Sequence, residues 1–367
     1  MAYNWQQKDW TKFRYSLEGL EDILFAITDQ IGHVAGIMKA LSADSQMEAV
    51  LGAMVAEAMK TSEIEGENLY REDVISSVRN NLGLNVKPEK IKDKKAEGIG
   101  QLMVAVRNTY ADALTEDTLF AWHKMLMEGH RKITVGAWRK HKDPMLVISG
   151  AVGRERVHFE APPSKDVPKE MKKFLRWFND TAPGGAAEIK KAPLRAAIAH
   201  LYFESIHPFQ DGNGRIGRAV AEKALSQTIG RPVLLSLSQA IEADRKAYYQ
   251  ALEQAQQSNE ITGWIRYFVH TILAAQIAAG GLVEFTLKKA KFFDRFKSKL
   301  NERQLKAINR MLEEGTEGFS GGMTTKKYIS ITKTSKATAT RDLQVLAELG
   351  ALLPEGKGRS VRYSLML

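Results

Sequence analysis

Residues 207–218 read HPFQDGNGRIGR, and no other stretch of the chain restricts its fold as tightly. Pro208 keeps the residue before it out of helical geometry, because the proline ring clashes with the preceding N–H and Cβ. His207 therefore lies outside any helix that follows. Upstream, Pro193 to Ser205 predicts a helix, with a proline in the first turn where a missing N–H would have had no partner. Downstream, the glycines open a second predicted helix that continues through Ile216, Ala219 and Val220. Two helices joined by a glycine-rich turn are the expected framework.

The same twelve residues carry one imidazole, one carboxylate, three glycines, an amide and two guanidinium groups. An imidazole ordinarily titrates near ~6.5 and can accept a proton at neutral pH, so His207 is a candidate general base; the alternative is a hydrogen-bonded loop histidine. Asp211 suits Mg²⁺, which is usually held by one carboxylate together with nucleotide phosphates; it equally suits a helix N-cap. Gly212, Asn213 and Gly214 lack bulk, so backbone N–H groups can meet an anion at a helix N-terminus. Arg215 and Arg218, three apart, can lie near each other on a helix and grip phosphate oxygens. Phe209 reads as a core anchor. Such a set suits transfer of part of a nucleotide to a nucleophile.

The remaining 355 residues narrow the class of molecule. A chain of 367 residues supports two or three domains with a real core. It has no cysteine, which excludes disulfides, thiolate zinc sites and a cysteine nucleophile. The N-terminus, MAYNWQQKDW, lacks the basic start and apolar run of a secretion signal. The apolar stretch Trp264–Phe285 is interrupted by Arg266, His270 and Gln276 and predicts a buried helix, not a membrane span. A soluble, cytoplasmic protein is expected. Residues 285–367 hold 17 Lys and Arg against 8 Asp and Glu, nine of the chain's ten net positive charges, so any attraction to nucleic acid should arise there.

Apolar spacing predicts helices through Leu17–Ile37 and from Ser42 or Asp44 to about residue 68, and helical character over 96–130. Met145–Ile148 and Arg156–Phe159 predict a β-hairpin around the turn 149–153. Helix Lys169–Asn179 follows. At the end, helices 301–315, 324–331 and 334–350 precede two short strands joined by PEGKGR (354–359), the element order of a winged helix-turn-helix. The expected fold is mainly α. It comprises a helical N-terminal region (1–95) containing a helix at about 44–68, a core at 96–284 with a flap at about 137–163 and the motif at 207–218, and a winged helix at 285–367.

HPFQDGNGRIGR resembles the signature HxFx(D/E)GNGRxxR of Fic-domain proteins at every fixed position. The likeness runs from about residue 100 to 275, and the hairpin is similar to the family's substrate-docking flap. The N-terminal stretch MAYNWQQKDWTKFRY also resembles a region found ahead of some bacterial Fic domains. The resemblance implies transfer of AMP from ATP to a Tyr, Thr or Ser hydroxyl of a target protein docked on the flap at about 144–160. It casts His207 as base, Asp211 as Mg²⁺ ligand and Gly212–Gly214 as anion hole, with Asn213 on the α-phosphate. Arg215 would contact phosphates and Arg218 the γ-phosphate. Glycine at 214 favours AMP transfer over the kinase-like branch of the family. Tyr248, Tyr249 and Gln256 are similar to residues lining the adenine pocket, with Gln256 where the family pattern has Asn.

TSEIEG (61–66) resembles the family's inhibitory pattern (S/T)xxxE(G/N). Thr61 and Glu65 would share one helix face, Gly66 would end the pattern, and Glu65 could form a two-pronged ion pair with Arg218, occupying the clamp meant for the γ-phosphate. Alternatives stay open: Glu65 used to remove AMP from a modified target, or a DNA-binding regulator whose Fic core only senses nucleotide. For the latter, residues 324–365 offer Lys333, Lys336, Thr338, Thr340, Arg341, Lys357, Arg359 and Arg362 to DNA phosphates. No membrane partner is expected, and the sequence leaves the oligomeric state open, a dimer included.

Overall fold

A computed structural model of the chain describes residues 2–130, 133–149, 156–356 and 360–367. The N-terminal helices are α1 (Glu21–Ala40), α2 (Ala43–Ile64), α3 (Arg71–Asn81), α4 (Lys94–Asn108) and α5 (Glu116–Met127). Strands β1 (Leu146–Ser149) and β2 (Arg156–Glu160) follow, then α6 (Val167–Asp180), α7 (Ala192–Ile206), α8 (Asn213–Ile229), α9 (Leu237–Ala243), α10 (Arg245–Ala255) and α11 (Thr262–Phe296). The chain ends with α12 (Glu302–Leu312), α13 (Thr325–Thr332), α14 (Lys336–Glu348), β3 (Leu352–Glu355) and β4 (Arg362–Leu365). The fold is mainly helical with one small hairpin amid the helices, as expected. It divides into two compact units, the first up to Gly32 with Val50–Ile277, the second His33–Ala49 with Ala278–Leu367.

At the centre of the first unit α7 is buried along its whole length, so its sequence carries no amphipathic stripe; a helix covered on every side has none to show. Tyr202 of α7 meets the edges of Trp10 and Phe13 at ring separations of 5.4 and 5.6 Å, while Trp5 donates its indole N–H to the Glu160 carbonyl (2.7 Å). These N-terminal aromatics are packing residues. Asn4, fully buried, joins the same layer: its N–H donates to the Gln256 carbonyl and its side-chain amide to Ser205.

Two predicted helices end early for identifiable reasons. The stretch 96–130 is two helices, because Thr115 starts a new one, its side chain accepting from the Thr118 N–H. The helix at about 44–68 stops at Ile64. Gly66 takes φ +79°, its N–H donates to the Glu63 carbonyl, and the Glu67 N–H reaches back to Ser62, the paired bonds of a Schellman cap. Only a residue without Cβ adopts that turn cheaply.

In the second unit, Phe292 and Phe296 pack with Ile308, Met311, Tyr328, Leu343, Leu346 and Leu352 in one core. Asp342 accepts from the Tyr328 hydroxyl (3.0 Å) and from Arg303 (3.0 Å), binding three helices together. β3 and β4 pair antiparallel, and Met323 bridges Tyr363 on the far side of β4. The predicted helix 334–350 begins at Lys336, with Ser335 as its N-cap. By length and composition α11 could cross a membrane, but half of its most apolar window is buried within the fold. Lys357 and Arg359, like the hairpin turn 150–153, lie outside the described residues.

Candidate active site

His207 closes α7 in the left-handed conformation (φ +50°, ψ +61°), a region costing a non-glycine residue of order 1–3 kcal/mol. Its surroundings hold it there. Arg139, 1% exposed, donates Nε to the His207 carbonyl (2.8 Å), its N–H to the Pro208 carbonyl (3.0 Å), and Nη2 to the carbonyls of Pro162 and Ile206. Burial lowers the Arg139 guanidinium to about 10, which still leaves it charged at neutral pH. Phe209 is fully buried and stacks on His123 at 4.1 Å. His123 Nδ1 accepts from the Gly136 N–H, so its other nitrogen carries the proton and donates to the Asp211 carbonyl (3.2 Å). Burial pushes His123 down to about 4. It is a neutral strut, not a second base.

Gly212, at φ +79°, precedes the first residue of α8. The first intrahelical bond runs from the Ile216 N–H to the Gly212 carbonyl, which leaves the N–H groups of Asn213, Gly214 and Arg215 without helical acceptors, at the positive end of the helix dipole. The Asn213 side chain is engaged on both sides by Phe209: its oxygen accepts from the Phe209 N–H (2.9 Å) and its nitrogen donates to the Phe209 carbonyl (2.8 Å). What Asn213 turns to the cleft is backbone. Asp211 is 55% exposed on its side chain, with Oδ1 accepting from the Gly212 N–H.

Arg218, 1% exposed, is clasped by the end of α2. Its Nη2 meets Glu65 Oε1 at 2.8 Å and the Thr61 carbonyl at 3.0 Å, while Nε donates to the Thr61 hydroxyl at 2.8 Å. The anticipated two-pronged ion pair is thus single-pronged, because threonine takes the second face of the fork. Burial alone would lower the Arg218 guanidinium; the Glu65 carboxylate, with Tyr248 and Glu57 adding to it, outweighs that and holds it above the usual range. Gly214 makes room for this contact, since a Cβ there would fall 2.3 Å from Glu65 Oε1. Arg215, 5% exposed, pairs at 2.6 Å with Glu67, which also receives Lys95 from α4. Further up α2, Glu57 accepts from Ser236, from the Ser238 hydroxyl and from the Ser238 N–H (2.9 Å), all buried.

His207, Asp211, Gly212–Gly214, Arg218, Glu65, Tyr248, Tyr249 and Gln256 line one cleft of about 730 Å³. Arg215 of α8 and Thr61 of α2 stand behind its wall, and Gly66 caps α2. Tyr248 is 2% exposed, with its hydroxyl 2.8 Å from His200, whereas Tyr249 is 40% exposed. Gln256 is buried and donates to the Glu204 carbonyl (3.3 Å). Along the hairpin, Leu146, Ile148 and Val157 present an exposed apolar face, and Arg156 and His158 fasten β2 to Glu253 of α10 at 2.8 Å each. In the second unit Lys336 and Arg341 project from α14, while the Thr340 hydroxyl donates back to the Lys336 carbonyl (3.0 Å). Asn4, Glu57, Glu67, Arg139, His200 and Glu204 escaped the sequence reading. Arg139 lies in the expected flap (137–163), Asn4 in the N-terminal stretch, Glu57 and Glu67 in the helix expected at about 44–68, and His200 and Glu204 in the helix expected over 193–205, but no local spacing marks any of them as part of a site.

The Fic/DOC family profile matches residues 113–225, and a domain of unknown function (DUF4172) matches residues 3–84. The chain is 26% identical over 173 residues to the protein adenylyltransferase Fic of Nematostella vectensis, covering 46% of this chain and 36% of that protein. It is 31% identical over 166 residues to the protein of that name from Drosophila mojavensis, covering 44% and 29%. It thus spans about a third of the length of these relatives. A Fic family protein from Desulfovibrio desulfuricans G20 shares the fold over 96% of this chain and 97% of its own, with a TM-score of 0.54 and 19% identity. A Fic domain containing signaling protein from Bacteroides thetaiotaomicron does so over 71% and 97%, with a TM-score of 0.52 and 18% identity. With the signature complete at 207–218 and the profile matching around it, residues 113–225 of the chain form a Fic domain.

Proposed function

We propose that this protein transfers AMP from ATP to a hydroxyl side chain of a target protein and is held in check by Glu65. The observation that carries the reading is the convergence in one cleft of His207, the free N–H groups opening α8, and Arg218 already occupied by a carboxylate. His207 takes the proton of the incoming hydroxyl. The hydroxyl oxygen forms a bond to the α-phosphorus as the bond to the β-phosphate oxygen breaks, and pyrophosphate leaves. Little covalent chemistry is asked of the protein; positioning and charge neutralisation do most of it. The N–H groups of the first turn of α8 receive phosphate oxygens, and Arg215 and Arg218 hold the tail once Glu67 and Glu65 yield it.

Among the described residues no group of three acidic or histidine side chains converges. Asp211, with its side chain 55% exposed at the cleft, fits a cation that takes its other ligands from phosphates. Asp211 would hold Mg²⁺, which when bound supplies neutralisation of phosphate charge. The exposed apolar face of Leu146, Ile148 and Val157 offers the target a docking strip. Tyr248, Tyr249 and Gln256 form the wall that would receive the base.

A second reading rests on Glu65 itself. Its side chain is 30% exposed within the same cleft as His207, so it could orient water for release of AMP from a modified target. The experiment that separates the two readings is incubation of Glu65→Gly with labelled ATP and Mg²⁺. Gain of label supports transfer under restraint. Loss of AMP release on the same substitution, with no gain of label, supports the second reading.

A further inference from the structure

Glu204 lies one turn before His207 on α7, is 4% exposed, and has no place in the signature. Its Oε2 stands 3.5 Å from His207 Nδ1. That nitrogen is buried and has no other partner among the described residues; Glu204 Oε1 is likewise buried and lies against Gly217, where a Cβ would come within 2.2 Å. With Nδ1 turned inward, the solvent-exposed edge of the ring carries Nε2. A buried carboxylate is costly unless a cation or donor faces it. Three groups do. Arg218 of α8 is already engaged by Thr61 and Glu65. His200, one turn earlier on α7, is driven toward its neutral form by burial and is tied to the Tyr248 hydroxyl of α10. His207 is the third: among the described residues its ring makes no hydrogen bond elsewhere, whereas His200 spends Nε2 on Tyr248. Burial raises the Glu204 carboxyl, but His207, with His200 and Arg218 adding to it, outweighs burial and keeps the group below its ordinary value.

We propose that Glu204 is a positioning residue for His207: it accepts the Nδ1 proton, fixing the ring tautomer whose Nε2 is free to take the hydroxyl proton from the cleft. The inference rests on the reading of His207 as base. The proton taken from the hydroxyl stays on Nε2, the Nδ1 proton remains on the ring, and the resulting imidazolium faces a carboxylate. The ion-pair distance of 3.5 Å tightens as that charge forms, as catalytic hydrogen bonds commonly do on going from the free enzyme to the reacting complex. The logic is that of a carboxylate orienting an imidazole, reached here by a spacing of three on one helix.

The test uses full-length Glu65→Gly protein with ¹⁵N-labelled histidine, with and without Glu204→Gln. Ring ¹⁵N shifts should show His207 protonated on Nδ1 in the parent. In Glu204→Gln they should move toward the Nε2-protonated form, because the glutamine amide can donate to Nδ1. AMP transfer in Glu204→Gln should fall roughly 10²-fold in kcat, the usual worth of a general base, with KM for ATP unchanged. Glu204→Asp withdraws the acceptor by about 1.5 Å, one C–C bond, from a contact already at 3.5 Å; it should lose the Nδ1 preference as well, and it serves if the glutamine variant fails to fold. An unchanged tautomer in Glu204→Gln, or a rise in KM with kcat intact, overturns the proposal. Absence of AMP transfer in the parent would instead sink the functional reading, and the tautomer measurement would still decide the role of Glu204.

Discussion

Shortening Glu65 by a single methylene tests whether the brake is a contact or merely a charge. In the folded protein one carboxylate oxygen meets Arg218 at 2.8 Å, and the guanidinium is 1% exposed. A single hydrogen bond to a charged group contributes about 1.5–3 kcal/mol, which translates to roughly 10- to 150-fold in the balance between clasped and free Arg218. Glu65→Gly should therefore raise the rate of AMP transfer by that factor. Glu65→Asp keeps the charge but withdraws it by about 1.5 Å, one C–C bond, beyond hydrogen-bond reach. It should release the brake nearly as far as glycine does. The assay is incorporation of labelled AMP at saturating ATP, with calorimetric ATP binding alongside. If Glu65→Asp restrains transfer as well as the native residue, long-range charge and not the contact sets the brake. If neither variant gains activity, Glu65 is no brake.

Three further outcomes follow from the same geometry. Glu57→Ala strips the acceptor from the buried Ser236 and Ser238 groups; at about 1–3 kcal/mol for each buried group left unpaired, the thermal midpoint should drop, and AMP transfer should rise as α2 loosens. Gly217→Ala drives a Cβ to within 2.2 Å of Glu204 Oε1, an overpacking worth about 1–3 kcal/mol; calorimetry should show ATP still bound while transfer falls. Burial, with the Glu57 carboxylate adding to it, raises Glu222 to about 8 from an ordinary 4.5. The folded state therefore keeps this proton when the unfolded chain has lost it, so the stabilisation is full below pH 4.5 and fades as pH rises through 8. Denaturant midpoints across that window should fall less steeply in Glu222→Gln, and an unchanged slope would remove Glu222 from the account.

The turn at 207–218 was legible because Pro208 and the glycines permit few backbone courses, and a run of base, carboxylate and arginines has few uses. The approach of Glu65 to Arg218 was legible only through the likeness of TSEIEG to a family pattern, and its helix ends at Ile64 through a cap that only the bond from the Glu67 N–H reveals. Other parts of the site arise from distance in the chain. Asn4 reaches Ser205 across 201 positions, and Glu57 reaches Ser238 across 181; no local spacing encodes such pairs. Glu204 sat in plain view three residues from His207, but α7 is buried on every side and offers no polar face against which a buried acid would stand out. The second prong assigned to Glu65 went to Thr61, since a carboxylate placed just past the end of a helix meets the arginine with one oxygen while the preceding turn presents a hydroxyl and a carbonyl.

The central claim is that His207 takes the hydroxyl proton while the neighbouring turn grips ATP. Intact-mass spectrometry of Glu65→Gly after incubation with ATP and Mg²⁺, beside Glu65→Gly/His207→Ala treated identically, tests it most directly. Covalently added AMP in the first and none in the second is the predicted result. Equal labelling of both, or none in either while ATP binds, would contradict it.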